Sequence, residues 1–324
     1  MPPLHIIRDI DFNIPQSVDG RVLNLSSNSM GASFGDVLVV GHRNELIFYN
    51  KYGEIITQVG LSAVVQDMST PGVLNFFGPT LEARVAVLTK ANKLELFKVE
   101  LPLEQYGVLG TGAIVEQEYE VGCASNLNGV SCGFETEYYP LYLRTDEGEF
   151  TIVPKDSLVQ CAKRKEGNLT TNPKISFLDG KVLDFTWSYA PTYSSFGVRP
   201  YAFIRSDSGN CRLEPAERFY NRMMGNDARI SSPTILINDP WIDSVAPMHI
   251  PGVFLAAKSG YKSLALMELN GNRLITKSEL KLSNYGISGE VQILPSVISD
   301  TDNEDMAFYL VSDGELNRFI LPSS

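Results

Sequence analysis

The sequence predicts an all-β protein built from repeated small antiparallel sheets, and two observations carry this prediction. Short apolar segments recur in pairs along the whole chain, and a polar or glycine-containing turn separates the two members of each pair. Alternating apolar runs bounded by turn residues are expected to form half-buried strands. The pairs are also regularly spaced, which is typical of repeat architectures.

Six predicted hairpins form the framework of this repeat. Each has an apolar strand, a turn and a second strand, and the clearest turns at His42 to Glu45. The six pairs are Val37–Val40 with Leu46–Tyr49, Val85–Leu88 with Leu94–Phe97, Leu141–Leu143 with Phe150–Val153, Tyr201–Ile204 before a turn at Ser208-Gly209, Val253–Ala256 before a turn at Gly260, and Phe308–Val311 before a turn at Asp313-Gly314.

Further strands accompany most hairpins. A glycine turn followed by an alternating apolar run precedes several of them, at Gly20–Leu25, Gly72–Phe76, Gly180–Phe185 and Gly289–Leu294. Candidate outer strands follow four of them, at Glu54–Thr57, Ala113–Glu116, Thr234–Ile237 and Leu274–Thr276.

Equating the turn positions Asn44 and Gly314 gives a repeat of about 54 residues, present six times over residues 1–324. A repeat of this length holds the four strands of a propeller blade, so the sequence predicts a single domain that is a six-bladed β-propeller. An unrelated β-sandwich or two tandem β-domains are the alternatives.

Two local predictions complete this fold. The last hairpin is followed by no outer strand, so we expect the strand-like segment His5–Phe12 to pair beside Leu316–Leu321 and close the last blade. Residues 214–224 carry helix signals, with Pro215 early, acidic residues before basic ones and a closing Gly225. They predict one short inserted helix.

The repeat unit resembles that of β-propeller proteins across the whole chain, but it lacks the Gly-His and Trp-Asp markers of the WD family and the paired glycines of kelch repeats. The last blade, Gly289 to Ile320, resembles blades in tail proteins of short-tailed bacteriophages, where a Val-x-Val-x-Pro-like run precedes an acidic loop and a hydrophobic hairpin. That resemblance implies a virion component.

Aromatic residues in two segments are the candidate partner-binding sites. A long loop on a rigid scaffold is a common place for binding residues, and it would present Tyr189, Tyr193 and Phe196. The predicted helix would present Phe219 and Tyr220, although covering the edge of the sheet is the simpler role for that helix.

The best candidate metal site is the acidic run 300–305. The oxygen side chains of Asp300, Asp302 and Glu304 alternate in a way that could converge on Ca²⁺, and integrin-type blades carry a similar loop. The glycine of such loops is missing, so we expect a solvated acidic turn, with calcium as the alternative. No other cofactor is expected.

The sequence contains no catalytic motif. Its three histidines are expected to lie far apart, and the nucleophile elbow, phosphate-binding loop and zinc-protease helix motifs are absent. Carboxylates gathered at the mouth of a propeller channel could still form a hydrolase or lyase, and the 189–196 loop could bind carbohydrate.

Charge and segment composition limit the partners and the location. A net charge of −11 opposes binding to a phosphate backbone, so no nucleic-acid partner is expected. No signal peptide or membrane span is visible. We therefore predict a non-enzymatic scaffold that binds other proteins of a multi-subunit assembly, cytoplasmic or virion in location. A virion tail component and a cytosolic or nuclear adaptor are its two versions.

Overall fold

Strands form almost all of the regular secondary structure in the computed structural model, and several of them are buried on both faces. The structure describes residues 4–15, 17–25, 36–75, 80–91, 93–102, 113–120, 126–129, 141–144, 150–153, 182–191, 198–206, 211–215, 234–248, 252–296 and 306–322. Within these ranges the only helices are single 3₁₀ turns at Ser259–Tyr261 and Leu282–Tyr285. Neither has the length or the apolar content that a bilayer crossing requires.

The strands in chain order are β1 (Ile7–Phe12), β2 (Leu23–Asn24), β3 (Val37–His42), β4 (Glu45–Asn50), β5 (Ile55–Gly60), β6 (Val65–Asn75), β7 (Thr80–Thr89), β8 (Lys93–Pro102), β9 (Ala113–Glu120), β10 (Asn126–Gly129), β11 (Leu141–Arg144), β12 (Phe150–Val153), β13 (Val182–Pro191), β14 (Val198–Ser206), β15 (Cys211–Pro215), β16 (Ile235–Ile237), β17 (Ser244–Pro247), β18 (Val253–Lys258), β19 (Ser263–Asn270), β20 (Arg273–Lys281), β21 (Val291–Pro295), β22 (Met306–Ser312) and β23 (Glu315–Leu321).

The chain divides into two compact units. The continuous unit comprises residues 17–176 and the discontinuous unit comprises residues 1–16 with 177–324. All six predicted hairpins are confirmed, because the two strands of each pair antiparallel. Asn44 and Gly314 both occupy the second position of two-residue turns, as the repeat alignment requires. The four predicted outer strands are confirmed as β5, β9, β16 and β20.

The continuous unit contains three antiparallel sheets in its described residues, in the orders β2-β3-β4-β5, β6-β7-β8-β9 and β10-β11-β12. Its core lies between the first two sheets, where Val39 and Phe48 pack with Val65, Met68 and Val85. The Arg21 guanidinium also joins these sheets by donating to both carboxylate oxygens of Asp67, at 2.9 and 2.7 Å.

The discontinuous unit contains a four-stranded sheet, β1-β23-β22-β21, and an eight-stranded one, β13-β14-β15-β16-β20-β19-β18-β17. The second consists of two four-stranded antiparallel meanders whose outer strands, β16 and β20, pair in parallel. Its two apolar cores are centred on Phe308 and Phe319 and on Phe203 and Phe254.

The predicted pairing of the N-terminal strand is confirmed. β1 pairs antiparallel with β23 from Ile7 opposite Ile320 to Phe12 opposite Leu316. The Arg318 guanidinium, which is nearly fully buried, bonds Asp9 at 2.5 Å. Phe12 meets Tyr309 edge to face at 5.8 Å between ring centroids. The first described strand, β1, therefore completes the four-stranded sheet that contains the last strand, β23.

Two sequence predictions need correction. Gly72 does not begin a strand after a turn, because it lies inside β6 opposite Arg84, and the strand starts at Val65. The helix expected over 214–224 cannot begin at residue 214, because Glu214 and Pro215 belong to β15 and pair with β14. Residues 216–224 lie outside the described residues, and the six-blade count and single-domain organisation stay predictions.

Removing residues 1–12, so that the chain starts at Asn13, is expected to lower the melting temperature by roughly 5–10 °C. The truncation exposes the β23 edge and leaves the Arg318 charge without Asp9, and breaking a buried ion pair is strongly destabilising. Thermal unfolding followed by circular dichroism measures this. Ile7→Ser is the control, because Ile7 is exposed and its replacement should leave the melting temperature nearly unchanged. An unchanged melting temperature on truncation would contradict the closing role of β1.

Candidate functional site

Two exposed aromatic rings contact each other on the discontinuous unit. Trp241 and Tyr261 are each 57% exposed, and their rings meet edge to face with centroids 5.4 Å apart and an interplanar angle of 79°. Among the large apolar side chains that the described residues expose, they form the only ring pair. We call them the aromatic pair.

The turn between β16 and β17 holds Trp241 outward. The Trp241 N–H donates to Asp239 Oδ1 at 3.1 Å, which closes a tight turn around Pro240. The next residue, Ile242, is fully buried among Val245, Phe254 and other core side chains. Because Ile242 is anchored inside, its neighbour Trp241 is left at the surface.

Backbone and ionic contacts tie this turn to two neighbouring strands. The Asp243 N–H donates to the Ala257 carbonyl at 2.9 Å, next to the end of β18. The Asp243 carboxylate pairs with Arg205 of β14 at 2.5 Å. Contacts with β18 and β14 therefore hold the turn of Trp241 in place without a partner.

Tyr261 is presented by the connection between β18 and β19. This connection is a 3₁₀ turn, Ser259–Tyr261, followed by Lys262 at a φ of 51°. The Lys262 carbonyl accepts a hydrogen bond from the Leu282 N–H at 2.7 Å, which anchors the far end of the connection.

Lys258 links the two turns that carry the aromatic pair. It ends β18, directly before the turn of Tyr261, and its Nζ lies 2.7 Å from Asp239 Oδ2 and 3.0 Å from Glu279 Oε2. Asp239 thus binds the Trp241 backbone through one oxygen and Lys258 through the other. The side chains of Lys258, Asp239 and Glu279 are 10%, 22% and 41% exposed, so the lysine is the most shielded member of this ion clamp.

The ion clamp shifts the pKa values of Lys258 and Glu279. Burial disfavours the ammonium form of Lys258, but hydrogen bonds and charge from Asp239 and Glu279 outweigh burial and raise the pKa of Lys258 above its ordinary value. Burial also disfavours the ionised form of Glu279, but its hydrogen bonds and the Lys258 charge lower the pKa of Glu279. Both shifts favour the charged forms of Lys258 and Glu279, the forms that attract each other.

The aromatic pair is suited to contact with a protein surface. Tryptophan and tyrosine bury large areas with few rotatable bonds, and they are enriched among residues that dominate protein interfaces. A fixed pair of such rings pays little ordering entropy when a partner covers it.

Of the sequence-predicted partner-binding residues, only Tyr189 lies within the described residues. The placement of Tyr189 in a loop is wrong, because Tyr189 lies inside β13, which ends at Pro191, and pairs with Pro200 of β14. Tyr193, Phe196, Phe219 and Tyr220 lie outside the described residues. These five assignments stay predictions.

The calcium candidates Asp300, Asp302 and Glu304 also lie outside the described residues. In the ranges that are described, no three His, Cys, Asp or Glu side chains are grouped so as to hold a metal ion. The calcium alternative is therefore still open and awaits a titration.

Sequence inspection missed the aromatic pair, although a local signal was present. Trp241 follows Asp239-Pro240, a turn-forming pair between two predicted strands. A tryptophan in a turn is not placed on the buried face of a strand. Tyr261 directly follows Gly260, the glycine of a predicted hairpin turn. The sequence does not show that the two turns meet.

Comparisons with known proteins give a likeness of structure without a family. No protein-family model matches the chain, and no curated protein matches its sequence. One similar solved chain comes from the crystal structure of BBS1N in complex with ARL6DN, soaked with lead, with a TM-score of 0.48, 9% identity, and 99% of this chain and 98% of that chain covered. The corresponding complex soaked with mercury gives a TM-score of 0.46 at 9% identity and the same coverage.

Replacing Lys258 with methionine is expected to destabilise the protein by about 1–3 kcal/mol, because Asp239 and Glu279 lose the cation between them while remaining partly shielded. The Trp241 turn should loosen as well. Urea unfolding measures the first effect and near-ultraviolet circular dichroism the second. Lys277→Met is the control, because the Lys277–Glu268 pair is about half exposed and should contribute almost nothing. Equal effects of the two substitutions would contradict the clamp.

Acid should weaken the clamp through Glu279. Its pKa is lowered by folding, so its contribution to stability is complete above the ordinary value of 4.5 and is lost as the pH falls through the lower folded value. The stability difference between the wild type and Glu279→Gln should therefore shrink on acidification below that value. Urea unfolding of both proteins across this range tests it, and a constant difference would contradict the assignment.

Proposed function

We propose that this chain is a non-enzymatic, six-bladed β-propeller that acts as a scaffold and binds other proteins of a larger assembly. The observation that carries the proposal is the aromatic pair, because it combines exposure with fixed geometry on a stable sheet. The six hairpins at their predicted positions and the closing strand β1 support the propeller architecture.

The aromatic pair favours protein over carbohydrate as the ligand. Its rings stand at 79° to each other, so they offer one face and one edge in place of two coplanar faces for a sugar ring. A protein side chain fits such a corner, since aromatic and aliphatic groups pack against both faces and edges.

Two versions of the scaffold follow from the sequence. The chain acts either as a virion tail component or as a cytosolic or nuclear adaptor. A pull-down of the tagged protein from its native source, with mass spectrometry of the captured proteins, distinguishes the two. Stoichiometric partners support the scaffold, whereas a clean monomer near the chain mass of 35.8 kDa would contradict it.

The double substitution Trp241→Ala and Tyr261→Ala is expected to weaken partner capture about 30-fold while leaving the melting temperature nearly unchanged. Truncating the central aromatic residues of an interface costs about 2 kcal/mol or more, which is about 30-fold, and the effects of two rings in contact do not add. These two rings contribute little to the core because they are exposed. Quantitative pull-down measures the loss.

Tyr52→Ala is the matched control for this prediction. Tyr52 is 60% exposed on the continuous unit, where its ring contacts Lys51. Its removal should leave capture unchanged. Equal capture by the double variant and the wild type would show that the partner binds elsewhere.

A further inference from the structure

A small polar cleft lies beside the β22–β23 hairpin. The segment Gly286–Ser288 forms one side of it and the hairpin residues 310–317 form the other. Its volume is about 70 Å³, which is room for roughly five to seven water molecules at the ~10–15 Å³ that each requires. The side chains of Leu310 and Ile287, both buried, provide its apolar walls.

The cleft forms where one face of the hairpin changes from apolar to polar. Along this face Leu321, Phe319 and Leu310 belong to the core. The same face then continues through Asn317 and ends at the cross-strand pair of Ser312 and Glu315. The apolar core therefore ends before the β22–β23 turn. The cleft beyond it is lined mainly by side chains that carry oxygen atoms.

Asn317 is the unusual residue of this face. It is only 5% exposed, yet none of the hydrogen bonds within the described ranges involves its side-chain amide. The turn alignment of Asn44 with Gly314 places Ile47 at the corresponding position of the β3–β4 hairpin, where it is 4% exposed. The Asn317 amide lines the cleft, so it offers a donor and an acceptor to a bound group, which an isoleucine at this position would not.

Two carboxylates stand at the mouth of the cleft. Asp313 lies at the turn, where its Oδ2 accepts a hydrogen bond from Ser288 Oγ at 2.8 Å. Glu315 is exposed at the start of β23. No lysine or arginine of the described chain pairs with either carboxylate, so the mouth carries two negative charges without a cation of its own.

We propose that this cleft binds the side chain of an arginine presented by a protein partner. A guanidinium has five N–H donors and no acceptor, which suits a lining of two carboxylates and an amide oxygen. The aliphatic part of the arginine would lie along Leu310 and Ile287. The net charge of −11 also favours a basic partner segment.

The inference rests on the proposed function only in assigning the arginine to a protein. The chemistry of the cleft can be tested with a small molecule. The probe is N-acetylarginine amide, titrated into the full-length ¹⁵N-labelled protein and followed by NMR. We expect saturable shifts of the Asn317 side-chain amide and of the Gly286 and Gly314 backbone amides. N-acetylcitrulline amide, which is nearly isosteric but uncharged, should cause none.

Two substitutions test the roles of the lining residues. Glu315→Gln should weaken binding of the arginine probe at least fivefold. Its matched control is Glu45→Gln, because Glu45 holds the same position after the turn of the β3–β4 hairpin, where the turn residue is Arg43. That control should bind the probe normally.

Asn317→Ile should abolish binding and raise the melting temperature, because isoleucine occupies the corresponding site of the β3–β4 hairpin and needs no hydrogen bond. A purely structural role for Asn317 predicts the opposite change in melting temperature. A lower melting temperature would therefore overturn the assignment of Asn317 to ligand binding.

Equal shifts with the arginine and citrulline probes, or no saturable shift with either, would overturn the proposal. Saturation by Ca²⁺ alone would overturn it in favour of a metal site. The outcome is separable from that of the proposed function, because the arginine probe requires no partner. Capture that is lost in the Trp241 and Tyr261 variant but kept in Asn317→Ile would show that the partner itself does not use the cleft.

Discussion

The pairing of β1 with β23 is the constraint on which the discontinuous unit depends. It joins segments whose ionic contact, Asp9 with Arg318, spans 309 positions of the chain. The entropy cost of closing such a loop grows only with the logarithm of its length, by about 0.6 kcal/mol for each doubling. Five cross-strand residue pairs, a buried guanidinium and the Phe12–Tyr309 contact hold the closure. The β22–β23 hairpin, which lines the polar cleft, is thereby held from both sides by β1 and β21.

Charge in the discontinuous unit is used to fix connections between strands. Arg205 with Asp243, and Lys258 with Asp239 and Glu279, attach the turns around the aromatic pair to their strands. Such pairs contribute modest net stability because burial opposes the ionised forms. Their larger effect is on geometry, since rings that are already oriented lose little freedom on binding. The polar cleft differs in this respect, because no lysine or arginine within the described ranges pairs with Asp313 or Glu315.

The strands could be predicted from sequence because alternation and turn residues are local signals. Six hairpins, four outer strands and the closing strand followed from them. Gly72 misled because a glycine can lie inside an extended strand, and the burial of Val65 and Met68 sets the start of β6 instead. The aromatic pair could not be predicted, because its rings belong to turns twenty residues apart that meet only through packing. Asn317 lies beside Arg318 in a predicted strand, where a polar residue is unremarkable, and only the comparison with Ile47 makes it conspicuous.

The order of synthesis gives the closing strand a further consequence. Translation proceeds at about 5–20 residues per second, so β1 emerges from the ribosome roughly 15–60 s before its partner β23. During that interval Ile6 and Phe12, which are buried in the finished protein, face water or whatever else can cover them. The nascent chain therefore passes through a period in which the apolar side chains of this segment have no folded partner to cover them. Chaperone contact with this strand would protect it, whereas slow elongation between the codons of β1 and β23 would prolong its exposure.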